Sequence, residues 1–321
     1  MPSVPTIDLS AAEEAQFDFS EIDLACRQHG FFLLKNHGMD REIEEMWRLS
    51  KQFFDLPANE KRKILRDKDS PLGYYDRELT KQKRDLKEVF DFMSPRDDRD
   101  LMNQWPNENE EFREVMLAFF DAASDVAART LNLIYQSLNH GQAIDEDLPK
   151  GSAYTSNARL NCYPTSDPLD DIEGASVAAL GDMALHHHTD PGILTLLLQD
   201  MTGGLQAHSR TEGWIDVPPE SGTIVVNLGD AMQVWTNDKY RSAVHRVLPR
   251  ETSTRYSTPF FFSPARNAIL EPLKALLGNG EQPIYRSFTW KDYIQGRIDD
   301  NYADLGEDDI QIDQFKLEGI S

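Results

Sequence analysis

Cysteine is nearly absent from this chain: Cys26 and Cys162 are the only two in 321 residues, and they stand far apart, with neither pairing nor metal-ligand spacing. That excludes a disulfide framework and a thiolate metal cluster, and it fits a reducing compartment in which both thiols are buried core groups. Basic residues are also scarce. Lys and Arg number 33 against 55 Asp and Glu, which gives a net charge of -22 and a pI near 4.7. So acidic a surface repels a phosphate backbone, which argues against a nucleic-acid partner and favours a small-molecule substrate. The acidic excess is densest at Asp97–Asp100, Glu108–Glu111 and Asp299–Asp309, which read as solvated faces. Long apolar runs are missing as well. No stretch reaches the roughly 18 uninterrupted apolar residues of a membrane span, and the N-terminal stretch lacks the basic start and apolar run of a secretory leader. The expectation is a soluble cytoplasmic protein, monomeric by default, with no membrane partner.

The hydrophobic content of 40% is enough for a large core, as one elaborated domain or two intimate ones. Within it, the stretch Leu185–Gln206 carries the chemistry. His188 and Asp190 are two apart on a strand-like segment, so their side chains fall on one face and can bind one ion together, while Thr189 points away. His245, between two further β-like segments at Thr223–Leu228 and Arg255–Phe262, is placed to be the third ligand. Two imidazoles and a carboxylate on one face of an octahedral metal is the arrangement of non-haem Fe(II) oxygenases, with three positions left open. A closed structural zinc site would want a fourth ligand, usually thiolate, and none is near. Ten residues on, Arg255 and Ser257 again share a strand face, and a guanidinium beside a hydroxyl suits a carboxylate. Together these describe a slot for a small dicarboxylate that chelates iron at one end, and 2-oxoglutarate fits that description.

The set His188-Thr189-Asp190, His245 and Arg255-Tyr256-Ser257, with GGLQ at Gly203–Gln206 and NLGD at Asn227–Asp230, resembles the 2-oxoglutarate- and Fe(II)-dependent dioxygenases. It is most similar to the isopenicillin N synthase-like branch. PTIDLS (Pro5–Ser10), HGFFLLKNHG (His29–Gly38) and KEVFDF (Lys87–Phe92) extend the resemblance to the N-terminal part. The resemblance implies an enzyme using Fe(II), 2-oxoglutarate and O2, with ascorbate as an optional reductant. It would oxidise a C–H bond of a small specialised metabolite by hydroxylation, desaturation, demethylation or ring closure, releasing succinate and CO2. It also implies that Asn161 and Tyr163, in the RxNxYP-like run at Arg159–Pro164, reach the co-substrate. His186, which shares the strand parity of His188, and Phe261, which shares that of Arg255 and Ser257, are candidates for the substrate pocket. Two alternatives stay open. Isopenicillin N synthase and aminocyclopropanecarboxylate oxidase carry the same pattern without using 2-oxoglutarate, and a non-catalytic binding protein could keep the fold.

The chain in order gives an α+β fold: a mixed N-terminal region, a long backing helix and a double-stranded β-helix, or jelly-roll, core. A helix from Asp40 to about Phe54 carries Met46, Trp47, Phe53 and Phe54 on one face, and Ser10 is a candidate cap for an earlier one. Asn107–Asn139 is a long amphipathic helix with apolar residues recurring at threes and fours. From Ala158 to Phe262 short strands with Gly, Pro and Asn turns imply two packed sheets, among them one near Val234. The acidic insert Ser166–Ala178 reads as a surface loop, and a helix from about Thr289 to Arg297 as a cover for the barrel mouth. The resulting division is 1–105, an N-terminal dioxygenase region; 106–150, the backing helix; 151–265, the catalytic core; and 266–321, the tail and helix.

Overall fold

Along the strand Leu194–Gln199, Leu194, Leu196 and Leu198 join one hydrophobic cluster while Leu197 joins another. Thr223–Leu228 divides in the same way, with Ile224, Val226 and Leu228 on one side and Val225 on the other. Successive strand residues face opposite ways, so both strands lie in a sheet buried on its two faces. The computed structural model describes residues 4–13, 17–67, 69–80, 83–95, 103–106, 109–139, 141, 148–181, 183–250, 252–302 and 310–317. Its larger sheet has eight strands in the order Thr6–Asp8, Phe31–Lys35, Thr223–Leu228, Leu194–Gln199, Arg255–Phe262, Asn157–Tyr163, Glu88–Met93 and Gly73–Tyr75. Only the first pair is parallel.

The smaller sheet is antiparallel throughout, ordered Gly213–Asp216, Leu205–Ser209, His245–Val247 and Leu185–His188. Phe31, Leu33, Leu197 and Val225 of the larger sheet meet Leu205, Ala207 and Val247 of the smaller, and this is the interior of a jelly roll. The expected α+β jelly-roll architecture is the one observed. Strands from the N-terminal region and from the core segment build one continuous larger sheet.

The outer face of that sheet is covered by helices. Glu110–Leu138 begins at Asn109, whose side chain accepts the Phe112 N–H at 3.0 Å, and its buried stripe runs through Phe112, Met116, Phe119, Ala123 and Val126. Phe120 on this helix meets Phe260 of the sheet edge-to-face, with ring centres 5.0 Å apart. Asp40–Phe54 adds Phe53, which contacts Phe90 at 5.1 Å and Phe112 at 5.4 Å. Among the described residues no helix is long and apolar enough to cross a membrane.

Three local expectations are corrected. Val234 lies on a helix, Asp230–Trp235, not on a strand; every residue of that helix is buried, so it shows no polar face and no helical period. The first helix, Leu9–Ala12, is capped by Asp8, which accepts the Ala11 N–H, and Ser10 instead donates to Asp8. The acidic insert contains a helix, Asp171–Gly174, started by an Asp170/Glu173 capping box and pinned by Arg62 to Glu173 and by Arg84 to Asp167. Of the acidic patches, residues 97–100, 108 and 303–309 lie outside the described residues.

Candidate active site

The strand Leu185–His188 pairs antiparallel with His245–Val247, and His245 stands directly opposite His188. Their rings are 4.3 Å apart between centres, and Nε2 of each lies 3.7 and 3.8 Å from Oδ1 of Asp190. One ligand atom from each of the three lies within 4.8 Å of the others, close enough for one ion among them. The surroundings aim those atoms. His188 Nδ1 faces the His186 carbonyl at 2.9 Å and His245 Nδ1 faces the Ala243 carbonyl at 3.1 Å. A carbonyl only accepts, so both Nδ1 atoms carry the proton and both Nε2 lone pairs are free for a metal.

Asp190 is fixed just as closely. Its Oδ2 accepts from Thr195 Oγ1 at 2.6 Å and from Asn227 Nδ2 at 2.7 Å, which leaves Oδ1 to turn toward the imidazoles. Burial opposes ionisation of this carboxyl, but the two histidines and the two hydrogen bonds outweigh it and hold the group below the usual carboxylate range. Burial and then the neighbouring His245 ring pull the His188 pKa down to about 3, so that imidazole is neutral near pH 7. Two imidazoles and a carboxylate suit a divalent ion of the Fe(II) type. The turn that follows Asp190 needs glycine opposite it. A Cβ at Gly229 would lie 2.2 Å from the Gly192 carbonyl oxygen.

A cavity of about 80 Å³ opens on these atoms and runs to Arg255. Arg255 and Ser257 pair across the ladder with Tyr163 and Asn161, so all four share the inward face and all four line the cavity. Asn161 Nδ2 donates to Ser257 Oγ at 3.3 Å, and the Arg255 guanidinium lies over the Tyr163 ring at 5.0 Å. Arg255 is only 1% exposed, yet Nε, Nη1 and Nη2 have no hydrogen-bond partner among the described residues. An isolated buried cation is costly, and a fork with none of its nitrogens paired is shaped for an anion that arrives from outside.

Phe261 also lines the cavity. His186 does not: its Nδ1 meets Asp85 Oδ1 at 3.1 Å. The reason is a register shift between the paired strands, where His245 is opposite His188 but Val247 is opposite Leu185. The four residues Leu185–His188 span the three residues His245–Val247, so the bulge puts Leu185 rather than His186 on the cavity side with His188.

Comparison with known proteins agrees with this geometry. The model of the 2OG-Fe(II) oxygenase superfamily matches residues 154–264, and that of the non-haem dioxygenase in morphine synthesis N-terminal region matches residues 4–108. Feruloyl CoA ortho-hydroxylase 2 of Arabidopsis thaliana is 32% identical over 300 residues, covering 91% of this chain and 78% of that protein. The chain belongs to the 2OG-Fe(II) oxygenase superfamily. Gibberellin 3-beta-dioxygenase 1 of Pisum sativum is 30% identical over 303 residues, covering 91% of this chain and 76% of that one. A full-length Neurospora crassa protein solved in complex with alpha-KG superposes with a TM-score of 0.77 at 25% identity, over 93% of this chain and 96% of that one. The rice dioxygenase for auxin oxidation shares the fold, with a TM-score of 0.75 at 24% identity over 98% of this chain and all (100%) of that one. As a 2OG-Fe(II) oxygenase the protein is an enzyme, and the cofactors of its family are Fe(II), 2-oxoglutarate and O2.

Sequence reasoning missed a set of supporting residues in this oxygenase. Thr195 and Asn227, which hold Asp190, were signalled only by being polar in apolar strands, and Asn227 opens the NLGD run. Tyr293 and Arg297 come from the C-terminal helix Trp290–Tyr302. Arg297 Nη2 donates to the Thr189 carbonyl at 2.8 Å, between the two ligands, and Tyr293 Oη donates to Asp230 Oδ2 at 2.6 Å. Asp230 in turn accepts from Thr189 Oγ1 at 3.3 Å, and its N–H donates to the Asp190 carbonyl at 2.8 Å. The helix therefore fastens the ligand-bearing loop on its backbone. Arg297→Ala should weaken Fe(II) binding by about 10-fold, at the lower end of what losing a supporting residue costs. Anaerobic titration with Co(II) as a spectroscopic stand-in checks this; wild-type affinity in the variant would remove the helix from the site.

Proposed function

We propose that this enzyme oxidises a C–H bond of a small specialised metabolite, with His188, Asp190 and His245 holding Fe(II) and Arg255 and Ser257 holding the distal carboxylate of 2-oxoglutarate. Asn161 and Tyr163 flank the co-substrate, and Phe261 bounds the substrate side. The observation that carries this reading is the unpaired, fully buried Arg255 guanidinium sharing one cavity with the His-Asp-His cluster. When bound, Fe(II) and 2-oxoglutarate supply the means to divide dioxygen between succinate and the substrate, with release of CO2.

The chain's own residues do the rest. Thr195 and Asn227 fix Asp190 so that one oxygen is presented and no rearrangement is needed when a ligand enters. Arg255 compensates a carboxylate that would otherwise be buried without a partner. Leu185, Leu197, Leu205 and Val247 supply an apolar part of the wall that keeps water from the reacting groups. We further read the protein as a cytoplasmic monomer that takes no nucleic acid, from its acidic composition and its two buried free cysteines. Hydroxylation is the outcome favoured here, because the relatives are named ortho-hydroxylases and dioxygenases.

Anaerobic titration of the Fe(II)-loaded protein with 2-oxoglutarate tests the assignment. The weak visible charge-transfer band of a chelated keto acid should appear and saturate at equimolar co-substrate. Fe(II) binding without a band would favour an oxidase that anchors its substrate's own carboxylate on Arg255, as in isopenicillin N synthase.

A further inference from the structure

Arg255 is not the only cation on the cavity wall. Lys87 and Arg159 line the same space, and neither is among the residues assigned above to the metal or the co-substrate. Lys87 immediately precedes the strand Glu88–Met93, which pairs with the strand carrying Arg159, Asn161 and Tyr163, and its side chain is 4% exposed. Its ammonium lies 2.8 Å from Glu78 Oε2 and 3.2 Å from Asp85 Oδ2. Arg159 reaches Asp91 at 2.7 Å and Glu78 at 2.8 Å, and Arg66 closes the group on Glu78 at 2.7 Å and Asp91 at 2.8 Å.

As a whole the cluster balances, with Arg66, Lys87 and Arg159 against Glu78, Asp85 and Asp91. Its arrangement is one-sided. Lys87 and Arg159 face the cavity, while Glu78, Asp85, Asp91 and Arg66 are not among the described residues that line it. Burial would pull the Lys87 pKa down, but the Glu78 and Asp85 carboxylates outweigh it and hold it above the ordinary lysine value. The ammonium is thus a fixed charge, with three N–H bonds and two carboxylate partners.

Charge balance in the loaded site then points to a ligand. A divalent iron, a doubly charged 2-oxoglutarate, Arg255 and Asp190 sum to neutrality, so the loaded centre leaves no net charge to answer the faces that Lys87 and Arg159 turn to the cavity. We propose that the primary substrate is an organic carboxylate whose anionic group is received by Lys87 and Arg159. The acids behind the wall set the two cations in place, and the entering carboxylate gains charge-assisted hydrogen bonds in a site of low dielectric. This rests on the assignment of Arg255 to the co-substrate; were Arg255 to hold the substrate instead, the substrate's carboxylate would be received there.

The test uses the full chain loaded with Fe(II) and 2-oxoglutarate without oxygen, and matched probes: cinnamic, phenylacetic and cyclohexanecarboxylic acids against their primary amides. Binding is read from the shift of the visible band and by calorimetry, and turnover from succinate once oxygen is admitted. At least one acid should bind about 10-fold or more tighter than its amide and stimulate succinate formation. Lys87→Gln should lose that preference while its titrations with Fe(II) and with 2-oxoglutarate stay as in the wild type. Amides that bind the wild type as well as the acids, or a panel in which no acid binds, overturn the inference, and neither result depends on the variant folding. Failure of the band to form with 2-oxoglutarate alone overturns the co-substrate reading, and this inference with it.

Discussion

Arg255→Met should yield a protein that is more stable when free and almost inactive in turnover. The wild-type guanidinium is buried with none of its nitrogens hydrogen-bonded among the described residues, so the free protein bears the desolvation of a charge that only the Tyr163 ring and more distant groups offset. Replacing a poorly compensated buried charge by an apolar side chain of similar length is often neutral or stabilising by about 1–4 kcal/mol. The same change removes the proposed partner of the 2-oxoglutarate carboxylate. Truncating one side of a buried charge pair costs about 2–5 kcal/mol, and each 1.4 kcal/mol is about 10-fold, so the co-substrate KM should rise on the order of 100-fold or more. Urea unfolding with and without 2-oxoglutarate separates the two effects. Saturating co-substrate at about 100 times Kd should stabilise the Fe(II)-loaded wild type by about 2.7 kcal/mol and the variant much less. A variant that is less stable when free, with an unchanged 2-oxoglutarate requirement, would mean that Arg255 is a structural ion and not an anchor.

The parts of the site that sequence reasoning reaches are those governed by strand parity. His188 with Asp190, Arg255 with Ser257, and Asn161 with Tyr163 each lie two apart, and the ladder Arg255–Tyr163 and Ser257–Asn161 turns that local period into one shared wall. His186 obeys the same arithmetic and is misplaced by it, because the bulge opposite the step from His245 to Val247 resets the parity between Leu185 and His188. Bulges leave little local signature. Lys87 was illegible for another reason: in DLKEVFD its charge reads as one of several on a solvated edge. Pairing with Asn157–Tyr163 buries that edge, and the carboxylates that keep Lys87 charged come from Glu78 and Asp85, one of them on a separate segment. Arg297 is the extreme case, since a polar helix far along the chain gives no sign that it will fasten Thr189. The fold itself was more legible than its supporting contacts, because alternation and amphipathic stripes recur over many residues while a second hydrogen-bond partner is a single long-range event.

Asp190→Asn should cost more iron affinity than the loss of one ligand would suggest, and the hydrogen bonds show why. Oδ2 accepts from both Thr195 and Asn227, and an NH2 in that position would face the Asn227 NH2, which can only donate. The amide must therefore place its oxygen there, and its NH2 is forced into the position of Oδ1, pointing between the Nε2 atoms of His188 and His245. A donor then stands where the metal needs an acceptor. Iron binding should fall by well over the roughly 10–100-fold that removing a supporting residue costs, and succinate formation should vanish with it. The fold should survive, because the amide keeps both hydrogen bonds; Asp190→Ala would leave two buried donors unsatisfied at about 1–3 kcal/mol each. The two variants therefore separate metal binding from folding. Asp190→Asn should retain the wild-type melting temperature of the metal-free protein to within a few degrees, corresponding to less than about 1 kcal/mol, and fail to take up Fe(II). Calorimetry should still detect weak 2-oxoglutarate binding at the intact Arg255, without the visible band that needs the metal. An Asp190→Asn protein that binds Fe(II) as the wild type does would place the ion elsewhere and undo the site.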